Sequence, residues 1–379
     1  MNIGILTFHN AINYGGVLQA YALQEFLNDI GGIKAEMVGY CSSAVDRQYS
    51  FVSLKQSGSI KAFLLCNATT AARKQKKSSF QKFVKDNIKM GPPVTILSAE
   101  ALKTYDCIIV GSDQVWNSAC TKGDKAYLLD IEELQVKHIS YAASIGNRRN
   151  FENFQHKYHV DFRKALANFS YISVRERDTT AYIKELTGRE CFTAVDPVLL
   201  YGRDNWIETL KEFEFNGEIS VETNENYILV YNIGNFSLTF AFAKMLSAKT
   251  GFKIKAINKD VKGDVKFAGC ENCSNASPVA FVSLIEKAQY VVTDSFHATA
   301  FSIMLHKKFF TIANPNSDNT NSRLLNILED YNLRNRYVTK LNIPKDYDVE
   351  IDYSNIETKM EIEREESRKW LLDALEWRA

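Results

Sequence analysis

The sequence lacks a dominant charge. Its 379 residues carry 46 Lys and Arg against 45 Asp and Glu, a formal net charge of +1, so nothing overall draws it to nucleic acid or an anionic membrane. Long apolar runs are missing too. No stretch approaches the ~18 uninterrupted apolar residues of a membrane span, and Met1 leads into a strand-like segment rather than a signal peptide. The expectation is a soluble, cytoplasmic protein. Cysteine is scarce and odd in number, seven at irregular spacings, which suits reduced thiols better than a disulfide framework. Cys270 and Cys273 form a Cys-x-x-Cys without a second pair, so a loop holding two thiols is favoured over a zinc or redox centre. Neither a Walker A pattern nor G-x-G-x-x-G occurs, and no His, Asp and Glu cluster demands a metal.

What is present is apolar patterning that alternates between short β-branched runs and helical stripes. With 45% hydrophobic and 12% aromatic residues, the chain is long enough for two packed domains. Strands are expected at Ile3–Phe8, Asp106–Val110, Ile139–Ala143 and in the stretch Tyr171–Asp178, and a second series at Tyr227–Ile233, Lys253–Ile257, Tyr290–Thr293 and Phe309–Ile312. Helices lie between them, at Val17–Ile30, Phe236–Lys249 and Pro278–Ala288 among others. Such alternation indicates parallel βαβ units, hence an α/β protein of two doubly wound, Rossmann-like domains facing a cleft. The boundaries expected are 1–205 for the first domain and 206–356 for the second, with the helix 357–379 crossing back onto the first.

One junction organises the rest. Tyr290–Thr293 is a buried strand feeding a helix whose first turn contains His297. In open α/β sheets ligands bind outside the strands' carboxyl ends, and a helix N-terminus there favours an anion. His297 is a candidate general acid or base, or a partly buried histidine that caps the turn. In the first series, Asn13-Tyr14-Gly15-Gly16 opens a helix after a strand, and its two glycines would let the backbone approach a ligand. Ser112, Asp113, Gln114 and Trp116 follow the next strand; they read either as a sugar-binding loop or as a turn whose Trp116 simply packs. Arg175 and Arg177 share a face if the strand persists to Arg177, and would then suit a carboxylate or phosphate, although Arg-Glu-Arg is also a common surface ion-pair ladder. Residues 73–89 carry seven Lys or Arg against one Asp, with Phe80, Phe83, Val84 and Ile88 as an apolar stripe. That amphipathic helix either packs its stripe into a core or meets an anionic lipid surface.

Together these residues resemble the polysaccharide pyruvyl transferase family. The resemblance is carried by Asn13–Leu23, Val110–Trp116, Ser173–Glu176, Asp196-Pro197 and Thr293–His297, in that order. It implies a fold similar to GT-B glycosyltransferases and transfer of pyruvate from phosphoenolpyruvate to a sugar as a cyclic ketal. The acceptor would be a bacterial surface-polysaccharide precursor, lipid-linked or polymeric, on the first domain through Asn13–Gly16 and Ser112–Trp116. By the same resemblance the second domain is the donor side, with His297 as acid/base, Arg175 holding the donor, no cofactor and no metal. Several family members place an arginine two positions before the histidine, where this chain has Ser295. The cation replacing it is sought first in Arg323, then Lys307, Lys308 and Arg177. A nucleotide-sugar glycosyltransferase and a non-catalytic sugar-binding protein are the alternatives.

Overall fold

The structure, a computed structural model, describes residues 1–42, 70–219, 225–234, 236–258, 269–314 and 318–377. The chain divides into two compact units, one of Met1–Ser50, Val84–Tyr201 and Lys359–Ala379, the other of Phe51–Phe83 and Gly202–Thr358. The division differs from the expected one in two ways. The break falls after Tyr201, and the basic helix Thr70–Asn87 contributes its residues up to Phe83 to the second unit.

The first unit is built on a seven-stranded sheet in the order β3-β2-β1-β4-β5-β6-β7. Its strands are β1 (Asn2–Leu6), β2 (Lys34–Tyr40), β3 (Met90–Val94), β4 (Cys107–Val110), β5 (Lys137–Ala143), β6 (Tyr171–Val174) and β7 (Phe192–Thr193). All neighbours run parallel. The interior strand β4 is Cys-Ile-Ile-Val with every residue buried, as expected of a strand covered by helices on both faces. β3, which contains Pro92 and Pro93, lies at the edge, where a missing N–H breaks no ladder. The helix Ser354–Leu375 continues into this unit from Lys359 onward. There Trp370 stacks on Phe192, with ring centroids 5.3 Å apart, and Ser367 Oγ accepts the Val195 N–H at 3.1 Å.

The second unit holds a six-stranded sheet in the order β10-β9-β8-β11-β12-β13. Here β8 is Tyr227–Asn232, β9 Lys253–Asn258, β10 Glu271–Asn272, β11 Tyr290–Thr293, β12 Lys308–Ile312 and β13 Tyr337–Val338. These pairs are parallel as well. Alternation along β8 separates its two faces. Ile228 and Val230 pack with Phe242, Ala243 and Leu246 of the helix Phe236–Thr250, whereas the Tyr231 ring meets Phe281 edge-on at 4.9 Å on the other.

Both sheets share one consequence of their strand order. The first strand of each unit lies inside the sheet, the chain winds outward through the next two, then returns to the first strand's other side. The order therefore reverses between β1 and β4 and again between β8 and β11, and at such reversals consecutive loops part to leave a ligand crevice at the carboxyl ends. No helix among the described residues is long and apolar enough to cross a membrane.

Candidate functional site

At the reversal of the second sheet, β11 ends in Thr293 and Asp294, and the helix Phe296–Met304 begins. Ser295 caps that helix. Its hydroxyl accepts the Ala298 N–H at 3.4 Å, and its backbone carbonyl accepts the Thr299 hydroxyl at 2.9 Å. Asp294 ties the neighbouring loop down: its two carboxylate oxygens accept the backbone N–H groups of Ile233 at 2.6 Å and Gly234 at 2.8 Å, just past β8. His297 is the second residue of the helix, 7% exposed, with its ring edge-to-face on Phe296. It thus stands where a helix dipole favours negative charge.

The cations proposed to accompany it separate by position. Lys307 and Lys308 lie at the amino end of β12, where Lys308 is in register with Tyr290, the first residue of β11. Parallel strands put them a strand's length from His297, on the opposite edge of the sheet. Lys308 is held there by Asp348 and Glu350; Lys307 donates to the Glu286 carbonyl, and burial pushes its pKa down. Neither replaces the arginine absent at Ser295. Arg323 stays at the right edge, on the helix Asp318–Asp330 that follows β12. Arg177 belongs to the first unit. It is exposed as the first residue of the helix Arg177–Thr187, because β6 ends at Val174 and the extended run needed to align it with Arg175 does not persist.

At the reversal of the first sheet, Arg175 is the centre of a buried ion cluster. Its Nη1 donates to Asp196 Oδ2 at 2.7 Å and its Nε to Glu176 Oε1 at 3.1 Å, while Asp113 Oδ1 lies 3.9 Å from Nη2. Burial works against the guanidinium's charge, but Glu176, Asp196 and Asp113 outweigh it and hold its pKa above the ordinary arginine range. Three carboxylates thus surround one guanidinium. Arg175 therefore has a structural part in this cluster, beside the donor-holding role expected of it. It joins the loop after β4, the end of β6 and the turn after β7, and Ser144 after β5 enters through its hydroxyl, which donates to Glu176 Oε1 at 2.9 Å.

The loops assigned to the acceptor are brought together, though more as a framework than as a lining. Asn13 caps the helix Tyr14–Asn28, its side chain accepting the Gly16 N–H at 3.3 Å. Tyr14, Gly15 and Gly16 are buried, and a Cβ on Gly16 would come within 3.2 Å of the Phe8 carbonyl oxygen, so this turn needs glycine for close packing against β1's exit. Ser112 is fully buried; its N–H donates to Gln19 Oε1 at 3.2 Å and its hydroxyl to the Ala142 carbonyl at 3.0 Å. Asp113 has a positive φ of 70° and faces Arg175. Gln114 accepts from Asn117 at 2.7 Å and is half-buried. Trp116 is not a sugar platform: it is fully buried, donates its indole N–H to the Tyr127 carbonyl at 3.0 Å and packs edge-on against Phe169. The packing alternative holds for that residue.

Thr7 and Gln19, inconspicuous in the sequence, lock the two loops. Gln19 donates to the Thr7 hydroxyl at 2.9 Å, and that hydroxyl donates to the Ser112 carbonyl at 2.8 Å. A glutamine inside an otherwise apolar helical stripe was the available signal. Cys270 and Cys273 are free thiols; burial, with Glu271 beside it, pushes the Cys273 thiol up to about 11. The basic helix turns its stripe inward, with Phe80, Phe83 and Ile88 all buried, which removes the apolar face a lipid surface would need. A surface depression lined by Asn28, Lys34, Glu36, Lys89 and Tyr105 lies at the amino ends of β1 and β2, the edge away from these loops.

Comparison with solved structures finds the same two-domain architecture. UDP-GlcNAc 2-epimerase from Neisseria meningitidis, bound to UDP-GlcNAc, matches over 97% of this chain and 100% of its own with a TM-score of 0.54 at 11% identity. The heptosyltransferase WaaC of E. coli with ADP matches over 97% and 99% with a TM-score of 0.37 at 15% identity. At 11% identity the likeness to the epimerase speaks for the fold alone, and the fold is two Rossmann-like domains of the GT-B type. Comparison with curated proteins returned no match. The model of one family, polysaccharide pyruvyl transferase, matches residues 13–317, and the chain, carrying that family's segments on the loops just described, belongs to it.

Proposed function

We propose that the chain transfers the pyruvyl group of phosphoenolpyruvate to two hydroxyls of a sugar in a polysaccharide precursor, as a cyclic ketal, with His297 as general acid and base. The observation that carries the reading is the position of His297, at the first turn of a helix and at the strand-order reversal of its sheet, within a family of pyruvyl transferases.

Phosphoenolpyruvate presents a carboxylate and a phosphate, which a helix N-terminus suits. Ketal formation asks for proton traffic more than for covalent catalysis. A proton goes to the methylene carbon while the first sugar hydroxyl bonds to the neighbouring carbon, and that hydroxyl's own proton restores the acid. The phosphate ester bond then breaks, the second hydroxyl takes its place, and its proton leaves with phosphate. One imidazole can serve both transfers. Of the acceptor residues, the half-buried Asn13 and Gln114 would hold the sugar.

The test is phosphate release from phosphoenolpyruvate with a panel of lipid-linked and polymeric saccharides, scored by mass for the gained pyruvyl unit. His297→Ala is expected to abolish release while moving the melting temperature by no more than a few degrees. Retained turnover would remove His297 from the mechanism, and consumption of a nucleotide sugar in place of phosphoenolpyruvate would make the chain a glycosyltransferase.

A further inference from the structure

The carboxyl edge of the second sheet holds two features that this reaction has not used. Asn232, the last residue of β8, is fully buried, and neither its amide oxygen nor its amide nitrogen has a hydrogen-bond partner among the described residues. It continues the face of Ile228 and Val230, yet it is polar where they are apolar. Leaving both ends of a buried amide unmet carries a desolvation penalty, and such a group at a strand-order reversal is suited to a ligand rather than to packing. Asn232 pairs in register with Asn258, the last residue of β9.

The second feature is a cation at the same edge. The Asn258 carbonyl accepts the ammonium of Lys76 at 3.1 Å. Lys76 belongs to the basic helix, on the part that clusters with the second unit. The helix packs there through Phe83, whose ring lies 6.2 Å from that of Phe213. Lys82 adds an exposed pairing with Glu218. With strands about 4.8 Å apart, Lys76 at the end of β9 lies roughly 10 Å from the end of β11, with Asn232 between. That width suits a small acid carrying a carboxylate and a phosphate. Ser295 caps its helix and carries no charge.

We propose that Lys76 and Asn232 form the anion-holding side of the donor site. The Asn232 amide donates to an oxygen of the bound acid, and Lys76 supplies the positive charge that the Ser295 position does not. The basic helix is then a part of the donor site carried in from the amino-terminal half of the chain. The inference rests on the reading of the donor as phosphoenolpyruvate, but the anion site can be tested without turnover.

Calorimetric binding of phosphoenolpyruvate and of inorganic phosphate is measured on the full chain, with KM for phosphoenolpyruvate and for the acceptor measured alongside. Lys76→Gln is expected to weaken both anions at least tenfold and to raise the donor KM by a similar factor, with the acceptor KM changed less than twofold. Lys76→Arg should stay within about threefold of the parent. Asn232→Ala should weaken both anions while leaving the melting temperature unchanged or higher, because it removes a buried polar group with no partner; Asn232→Thr serves where the alanine variant does not fold. Unchanged anion affinity in the lysine or asparagine variants, or no binding of either anion by the parent chain, overturns the site. Lost anion binding in the variants of a parent that never turns over phosphoenolpyruvate would keep the site and discard only the reaction.

Discussion

Arg175 shows how far a single residue's role depends on what surrounds it. In the sequence it is one arginine beside one glutamate. In the fold it is 8% exposed and meets Asp196, Glu176 and Asp113, which arrive from separate parts of the sheet's carboxyl edge. A buried guanidinium in such company holds those parts together, and removing it leaves uncompensated charge behind. Arg175→Met is therefore expected to destabilise the first unit by roughly 3–5 kcal/mol, read as a lower denaturation midpoint, with anion binding at the second unit unchanged in the protein that remains folded. A weaker phosphoenolpyruvate affinity at unchanged stability would place Arg175 in the donor site. The same dependence explains Trp116, legible as an aromatic after a strand but not as a residue whose indole N–H is already taken by Tyr127. His297 could be placed from the sequence because its position follows from local pattern alone, a β-branched strand and a capped helix. The assignments of Arg175 and Trp116 turned on partners distant in the chain, and these no local pattern encodes.

At the level of elements, the interior strands were legible because burial on both faces demands continuous apolar runs such as Cys107–Val110 and Tyr290–Thr293. Edge strands escape that demand. β3 reads Met-Gly-Pro-Pro-Val, and the two-residue strands β7, β10 and β13 are too short to show a period. β3 also comes so close to β2 that a Cβ on Gly39 would collide with the Pro92 carbonyl, at a shift in their register. The loop after β1 carries a consequence for pH. His9 is buried and its Nδ1 lies 3.2 Å from the Thr7 carbonyl oxygen; burial outweighs that contact and lowers its pKa from 6.5 to about 4. A folded-state pKa below the unfolded one means that the unfolded chain binds the proton first. Stability is thus complete above about pH 6.5 and declines as pH falls toward 4, by about 3 kcal/mol from this residue. His138 and His306 shift in the same direction, again through burial. Chemical denaturation of the parent and His9→Gln across pH 4–7.5 separates the contributions: the variant should show the shallower acid loss. An equal slope in both would mean that the imidazole takes up its proton as readily in the folded state as in the unfolded one.

For the whole molecule, the sequence pattern conveys two doubly wound sheets but not how the chain is shared between them. The basic helix reads as an amphipathic segment of the first domain; only its packing assigns residues up to Phe83 to the second unit. The terminal helix does the reverse, with its residues from Lys359 onward in the first unit. Leu371, Ala374 and Leu375 are buried, Arg364 donates to the Leu199 carbonyl at 3.0 Å, and Trp377 lies where a Cβ on Gly32 would be 2.6 Å from its ring. These contacts lie within the first unit, while Tyr353, just before the helix, donates to the Lys307 carbonyl within the second. Each unit also has an apolar cluster of its own, one around Trp116, Phe151 and Phe162, the other around Phe242, Tyr290 and Phe310. Such cores open separately when nothing large and apolar couples them. Leu371→Ala should then cost about 2–5 kcal/mol, and hydrogen exchange followed by mass spectrometry should locate the loss. Amides of β6, β7 and Leu199 are expected to exchange faster, with β8, β9 and β11 keeping their protection. Faster exchange in β8 and β11 to the same degree would mean that the two cores unfold as one, and that a charge change on the basic helix reaches the first sheet as well as the second.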